Sequence, residues 1–409
     1  MQFALAWRNV WRNPKRTAVI LLAVVTGVWV MVFLGALSRG LLEDMVQNSI
    51  NTLTGHIQIH QTGYREDPSL DRSIEKPDTI EKFLSEALPE GSKWTTRVKA
   101  DVVLGNARHS GGITLEGISF DEEKGISFIG DSVQLSDGYN WGTLPRNAVI
   151  VGQALLDEYE TSPGNKLIIT SRDVHGELVN QSFRIAGTYH ATMETTEKQF
   201  AFIQRSAAQD FLKLESSVSE FAIIIPDQDR SEEVARAIRV KLSNDGLEVD
   251  TWRDLLPFID AYLNLWDGMM LIWDLIIFVA MGFGLVNTLL MAVFERIREF
   301  GLVRALGMRP ILIVQGVLLE SALILVTGLL VGNILAMLTV WGFSNGGINL
   351  SAFAEGNEMW GGSRIVYPSL AMKDVLVANG LIAALGVLVS LYPAIMAARF
   401  SPVRALKQT

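Results

Sequence analysis

MMLIWDLIIFVAMGFGLVNTLLMAVFERIREFGLVRALGMRPILIVQGVLLESALILVTGLLVGNILAMLTVW, residues 269–341, decides the fold. Met269 to Phe294 is an apolar run interrupted by one charge, Asp274; Glu295 to Pro310 is short and charged; Ile311 to Trp341 is a second apolar run. A hydrocarbon core ~30 Å thick takes about 20 apolar residues in a helix, and both runs are longer. The stretch therefore predicts a helical hairpin through a membrane. Its connector holds Arg296, Arg298, Arg304 and Arg309 against Glu295 and Glu299, so the positive-inside rule places it in the cytoplasm.

Working outward, 49% of the 409 residues are apolar and the mean hydropathy is positive, too apolar for an ordinary soluble chain. Net charge is −9, unevenly spread. Residues 1–16, 295–310 and 399–409 carry eleven Lys/Arg and two acids, whereas residues 41–263 carry 21 Lys/Arg against 36 Asp/Glu. This asymmetry fixes the predicted orientation, and an acidic domain of that size argues against nucleic acid as a partner. There is no cysteine, so no disulfide framework staples the large segment.

Phe3, Trp7, Val10 and Trp11 fall on one side of a short helix with Arg8, Asn9 and Arg12 opposite, which predicts a helix in the cytoplasmic headgroup layer over residues 1–16. Thr17 to Leu37 is too long for a signal-peptide core and lacks a clean cleavage site, so it reads as a retained membrane helix. That helix, 17–40, continues as a stalk beyond the bilayer. Residues 41–263 alternate strand and helix patterns, predicting a mixed domain whose strand-rich middle, about 100–212, is inserted into a βαβ-like unit built by the flanks. The remaining layout is a second span at 264–294, the connector at 295–310, a third span at 311–341, an outer loop at 342–373 with Trp360 and Tyr367 suited to an interface, a fourth span at 374–396 and a cytoplasmic tail at 397–409. The predicted fold class is thus an α-helical membrane protein with four transmembrane helices and a large two-lobed extracytoplasmic α+β domain between helices 1 and 2.

The sequence Gly-Lys occurs nowhere, so no phosphate-cradling GxxxxGK[ST] loop exists and any ATP hydrolysis belongs to another chain. Phe300, Val303, Leu306 and Gly307 fall near one face of the connector with Arg298, Arg304 and Arg309 at its margins. Such a segment is either a handle for a partner or a loop whose arginines only set orientation. Glu320, about nine residues into the third span, comes out near mid-bilayer, where a carboxylate costs roughly 2–3 kcal/mol and must face protein or water. Two roles fit it: a proton or substrate site, or a structural carboxyl bonded to Gln315 or a neighbouring helix. Gly328 and Gly332 form a GxxxG pair that permits close helix approach. Gly342, Ser344 and Gly346 match GxSxG without the strand-turn-helix setting of a nucleophile elbow, and His56 and His60 sit in a strand pattern where no helical metal face forms. The sequence offers no catalytic constellation and no metal site.

One helix, a large extracytoplasmic domain, then three helices with a short basic connector resembles the MacB/FtsX/LolC/LolE (type VII) class of ABC permeases. The most specific pieces are Arg298 to Arg309 (REFGLVRALGMR), which looks like the family's coupling segment; Glu320 with Gly328 and Gly332; and the ending from Pro393 through Arg399 to Leu406. In the soluble domain, VIVGQALLDEYETSPGNKLIIT (149–170) and FRIAGTYHATMETTEKQFAF (183–202) are similar to the LolC/LolE pattern.

The resemblance implies two permease chains, identical or paralogous, on a LolD-like ABC ATPase dimer that holds ATP and magnesium; this chain itself binds no cofactor. It implies that Arg298, Glu299, Leu302, Val303, Ala305, Leu306, Gly307 and Met308 contact the ATPase, and that the complex sits in a bacterial inner membrane with both termini cytoplasmic. It further implies work at the outer face: lipoprotein extraction in the LolC/LolE branch or, as the alternative, mechanotransmission without lipid extraction, driving adaptor-linked efflux or activating hydrolases as in the MacB and FtsX branches. It also implies a periplasmic chaperone or adaptor as a further partner and membrane lipids around the spans. A fused N-terminal ATPase, as in MacB, has no counterpart here, and FtsX has a smaller soluble domain; both differences favour the LolC/LolE side. LolC carries a long proline-containing hook where this chain has only SRDVHGELVNQS, 171–182. A triacylated anchor of ~45 methylenes would need ~36 kcal/mol to enter water at ~0.8 kcal/mol each, so acyl chains must follow apolar protein surface. Val28, Met31, Met270 and Trp273, near the outer ends of the first two spans, are the expected path.

Overall fold

The computed structural model describes residues 2–136, 138–140, 144–242, 245–351, 363 and 365–399. Trp360 and the tail after Arg399 lie outside them. The chain divides into two compact units: Met1–Glu43 with Leu263–Ala352 and Arg364–Thr409, and Asp44–Tyr262 with Phe353–Ser363.

In the first unit, helices Pro14–Ser49, Pro257–Glu295, Pro310–Phe343 and Met372–Arg399 carry the four runs long and apolar enough to cross a bilayer, and are called the first to fourth spans. Even the shortest, 28 residues, reaches ~42 Å at ~1.5 Å per residue. Close approach and side-chain amides hold them. A Cβ built on Gly328 would stand 2.5 Å from Val24 Cγ1, and one on Gly332 would stand 2.6 Å from Val28 Cβ, so only glycine allows the first and third spans to lie this near. Asn333 and Asn379 exchange reciprocal amide bonds of 2.7 and 3.0 Å between the third and fourth spans, and each also donates to a carbonyl of its own helix. Backbone and amide polarity is thereby satisfied within the apolar bundle. At one end of the unit Arg39 grips Asp374 with two bonds, 2.6 and 3.0 Å.

The second unit is built on ten strands: β1 Ile57–Gln61, β2 Lys93–Gly105, β3 Ser110–Ile118, β4 Val133–Leu135, β5 Ala148–Gly152, β6 Lys166–Arg172, β7 Leu178–Tyr189, β8 Phe200–Gln204, β9 Glu220–Ile224 and β10 Leu247–Thr251. The order β10-β1-β9-β2, all antiparallel, makes β1 parallel to β2 and β9 parallel to β10, each pair split by one strand. Helices Pro77–Ala87 and Ser231–Leu242 connect the two pairs, giving a ferredoxin-like split βαβ lobe. Its core includes Ile59, Leu84, Phe221, Ile223 and Ile238.

β2 is long enough to belong to two lobes. Residues 93–97 pair with β9, and residues 98–105 pair with β3 and then β6. The ring β2-β3-β8-β5-β7-β6 closes on itself, so the inserted lobe is a six-stranded barrel. Closure removes the open strand edges on which other chains would pair. Alternation places Val98, Ala100, Val102 and Leu104 inside, and Phe211 and Leu212 of the helix after β8 join the same core. Where the lobes meet, fully buried Arg97 donates to Glu123 at 2.8 and 3.0 Å, to Glu220 at 3.1 Å and to the Leu53 carbonyl. Nearby Glu116 is also buried, and one of its oxygens lacks a hydrogen-bond partner. Burial pushes its carboxyl up to about 8, with Lys99 pulling the other way and Glu220 adding to the rise.

Candidate functional site

The connector is a short helix between two backbone breaks. The second span ends at Glu295; Arg296 leaves helical geometry (φ −104°, ψ 13°), and a helix resumes over Ile297–Ala305. Gly307, at φ 95°, ends it: its N–H bonds the Arg304 carbonyl at 3.0 Å while the Met308 N–H bonds the Val303 carbonyl at 3.1 Å, the paired closure of a Schellman motif. Arg309 then caps the third span, with Pro310 at its first position. A helix stop and a helix start thus occupy five residues, which is why the segment is so compact.

Ile297 and Gly301 are buried, and Phe300 packs with Val293, Ile313, Val317, Ala394 and Ala397. Arg304 donates to the Ala398 carbonyl at 2.9 Å, fastening the connector to the end of the fourth span. The outward side presents Leu302 (54% exposed), Leu306 (81%) and Met308 (42%) together with exposed Arg298, Ala305, Gly307 and Arg309. Helical spacing groups Phe300 and Val303 with Leu306. The structure turns Phe300 inward and half-buries Val303, leaving Leu302 and Leu306, four residues apart, as the exposed apolar pair.

A chain of ions surrounds this helix. Arg296 Nη1 donates to both carboxylate oxygens of Glu320, 3.0 and 2.8 Å, and its Nε to Glu299 at 3.2 Å. Asn9 donates to Glu320 at 2.7 Å, Arg12 to Glu299, and Arg16 to Glu295 at 2.8 Å. The Arg12 hydrogen bond, against partial burial, holds the Glu299 carboxyl below the usual range.

Of the structural partners expected for Glu320, Gln315 is not used: Glu320 bonds Asn9 of the N-terminal helix and Arg296 at the end of the second span, so a neighbouring helix supplies the partner. The N-terminal helix Gln2–Val10 also differs from its expected division. Ala6, Asn9 and Val10 face the protein, and Phe3, Trp7 and Trp11 are exposed, so Val10 belongs to the packed side. No sequence signal links Asn9 or Arg12 to residues about 300 positions away, and these partners emerge only in the fold.

The expected acyl path is likewise divided. Val28 and Met31 are buried in the helix core, Val28 directly against Gly332, so neither offers open surface; Met270 is half-buried and Trp273 exposed. Buried His56, just before β1, accepts from the Ile225 N–H, and buried His60 on β1 pairs with Gln58; among the described residues no group of three acids or histidines is placed to hold a metal. The turn joining β6 to β7 is closed by Asp173, whose side chain accepts from the N–H groups of His175 and Glu177 at 2.9 Å, so this hairpin is tight rather than a projecting hook.

Residues 17–241, more than half of the chain, match the family model of the MacB-like periplasmic core domain, and residues 274–402 match the FtsX-like permease C-terminal model. The lipoprotein-releasing system transmembrane protein LolC of Xylella fastidiosa is 23% identical over 232 residues, 55% of either chain. LolC of Neisseria meningitidis serogroup B is 21% identical over 407 residues, 96% of this chain and 94% of that one. The macrolide export ATP-binding/permease protein MacB 2 of Yersinia pestis is 28% identical over 162 residues, 40% of this chain and 21% of that one. The chain spans about half the length of the first of these relatives.

Proposed function

The chain belongs to the MacB/FtsX/LolC class of ABC-type permeases, and from that premise we propose that it is the non-catalytic subunit of an ATP-driven complex that carries ATPase motion to its large soluble domain. The observation that carries this reading is the connector's outward side, where Leu302, Leu306 and Met308 stand exposed between arginines. An apolar tip ringed by cations is a poor end for a helix hairpin in water and a good plug for a groove on a partner. The partner is a LolD-like ATPase dimer carrying ATP and magnesium, and a second permease chain completes the complex. The arginine-rich end, with both termini, faces the cytoplasm of a bacterium, and the acidic domain faces outward.

The work performed is release of lipoproteins or other lipidic substrates from the inner membrane. With Val28 and Met31 buried, the acyl chains run along the exposed second span, where Trp273 stands free. A second reading, motion passed to an adaptor or hydrolase without lipid extraction, is favoured by one observation: the tight Asp173 turn offers no hook for a periplasmic chaperone. Purification of the chain from its native membrane in mild detergent tests the shared part. A nucleotide-binding subunit is expected in the complex, and a co-purifying lipoprotein selects the first reading. A chain that purifies alone and fully folded contradicts both.

A further inference from the structure

The connector is hinged at both ends. Its nine-residue helix lies between the break at Arg296 and the turn at 306–309, and few of its side chains are buried. Phe300 and the Arg304–Ala398 hydrogen bond tie this helix to the end of the fourth span. Without a further tie to the third span and the N-terminal helix it would still swing about that point when pushed, absorbing a stroke without passing it on. Charge supplies what packing lacks. One Arg296 nitrogen, Nη1, is shared between both oxygens of Glu320 on the third span, and Nε reaches Glu299 on the connector itself, while the guanidinium lies 5.2 Å from the Phe300 ring. Asn9 and Arg12 bring the N-terminal helix into the same cluster. The Arg296 and Glu320 side chains are only 16% and 18% exposed, so water and salt screen this pair far less than they screen Arg12 and Glu299 at the surface.

We propose that Arg296 is a positioning residue for coupling: through Glu320 and Glu299 it clamps the connector, the third span and the N-terminal helix into one rigid body, so that a push on Leu306 moves the spans instead of rotating the connector. The proposal rests on the reading of the connector as the ATPase contact. Removing Arg296 alone would strand the Glu320 carboxylate and endanger folding. The informative variants are therefore the neutral pair Arg296→Gln with Glu320→Gln and the exchanged pair Arg296→Glu with Glu320→Arg.

The full chain contains no cysteine, so spin labels attach only where placed. Labels at Trp7→Cys and Leu302→Cys, both exposed, report the N-terminal helix against the connector in lipid nanodiscs. A narrow distance distribution is expected in the parent, at least twice as broad in the neutral pair, and narrowed again in the exchanged pair. A second label pair, Ile311→Cys at the start of the third span with Leu178→Cys on the soluble domain, both exposed and outside the ATPase-facing tip, is measured with the co-purified ATPase subunit with and without ATP. The parent is expected to show an ATP-dependent shift, and the neutral pair to hydrolyse ATP with that shift lost. Equal widths in parent and neutral pair overturn the clamp, as does a broadened connector that still transmits the full shift. Failure of the parent to bind any ATPase instead refutes the functional reading, while the first label pair still decides whether the clamp exists.

Discussion

Replacing Gly332 with alanine places a methyl group in one of the two tight glycine contacts between the first and third spans. That carbon would lie 2.6 Å from Val28 Cβ, 2.9 Å from Val28 Cγ1 and 3.0 Å from the Val25 carbonyl oxygen. Carbon atoms rest ~3.5–4.0 Å apart, so the helices must part by about 1 Å. Neighbouring Gly328, where Val24 is equally close, shares the displacement. Overpacking of this kind costs ~1–3 kcal/mol, or roughly 5- to 150-fold in the folding equilibrium. The geometry also specifies the rescue. Val28→Ala leaves the offending Cβ where it is and restores little; Val28→Gly removes it and restores most of the loss, less the ~1 kcal/mol of a second helical glycine. Unfolding of the full chain in mixed micelles titrated with SDS, followed by circular dichroism, measures the parent, Gly332→Ala and Gly332→Ala combined with Val28→Ala or with Val28→Gly. A Gly332→Ala chain as stable as the parent, or equal rescue by Val28→Ala and Val28→Gly, refutes the argument.

Arg97→Met leaves Glu123 and Glu220 buried without their cation and is expected to lower stability by ~3–5 kcal/mol, read as faster amide exchange across β2 and β9; a loss under about 1 kcal/mol contradicts it. Glu116, whose carboxyl is raised from 4.5 to about 8, binds a proton more tightly folded than unfolded, so its stabilising contribution is complete below pH 4.5 and disappears as pH rises through about 8. Glu116→Gln should flatten that decline in thermal unfolding between these values, and an unchanged slope would show that the buried carboxyl is not its source.

The four spans were legible because a run of twenty apolar residues needs no tertiary information to declare itself. Most soluble strands were legible too, Val98 to Leu104 and Phe183 to Tyr189 among them, from alternation alone. Their pairing was not. β1 finds β9 and β10 across more than 150 residues, and the barrel closes through three residues of β2 against β6, matters of register that local pattern does not encode. The connector was recognisable by composition, but nine residues make too few turns for periodicity to separate Phe300 from Leu306. Gly328 and Gly332 announced a close helix contact, yet not that Val28 fills it, and so the acyl path through Val28 gave way. Glu320 announced a buried charge without naming Arg296 or Asn9.

A photo-crosslinking amino acid at Leu306, compared with one at Leu178 in the soluble domain, tests the central claim in native membranes. Leu306 alone is expected to capture a nucleotide-binding subunit. Capture of no such subunit from Leu306, or labelling of that position by a membrane-impermeant reagent added outside intact cells, contradicts it.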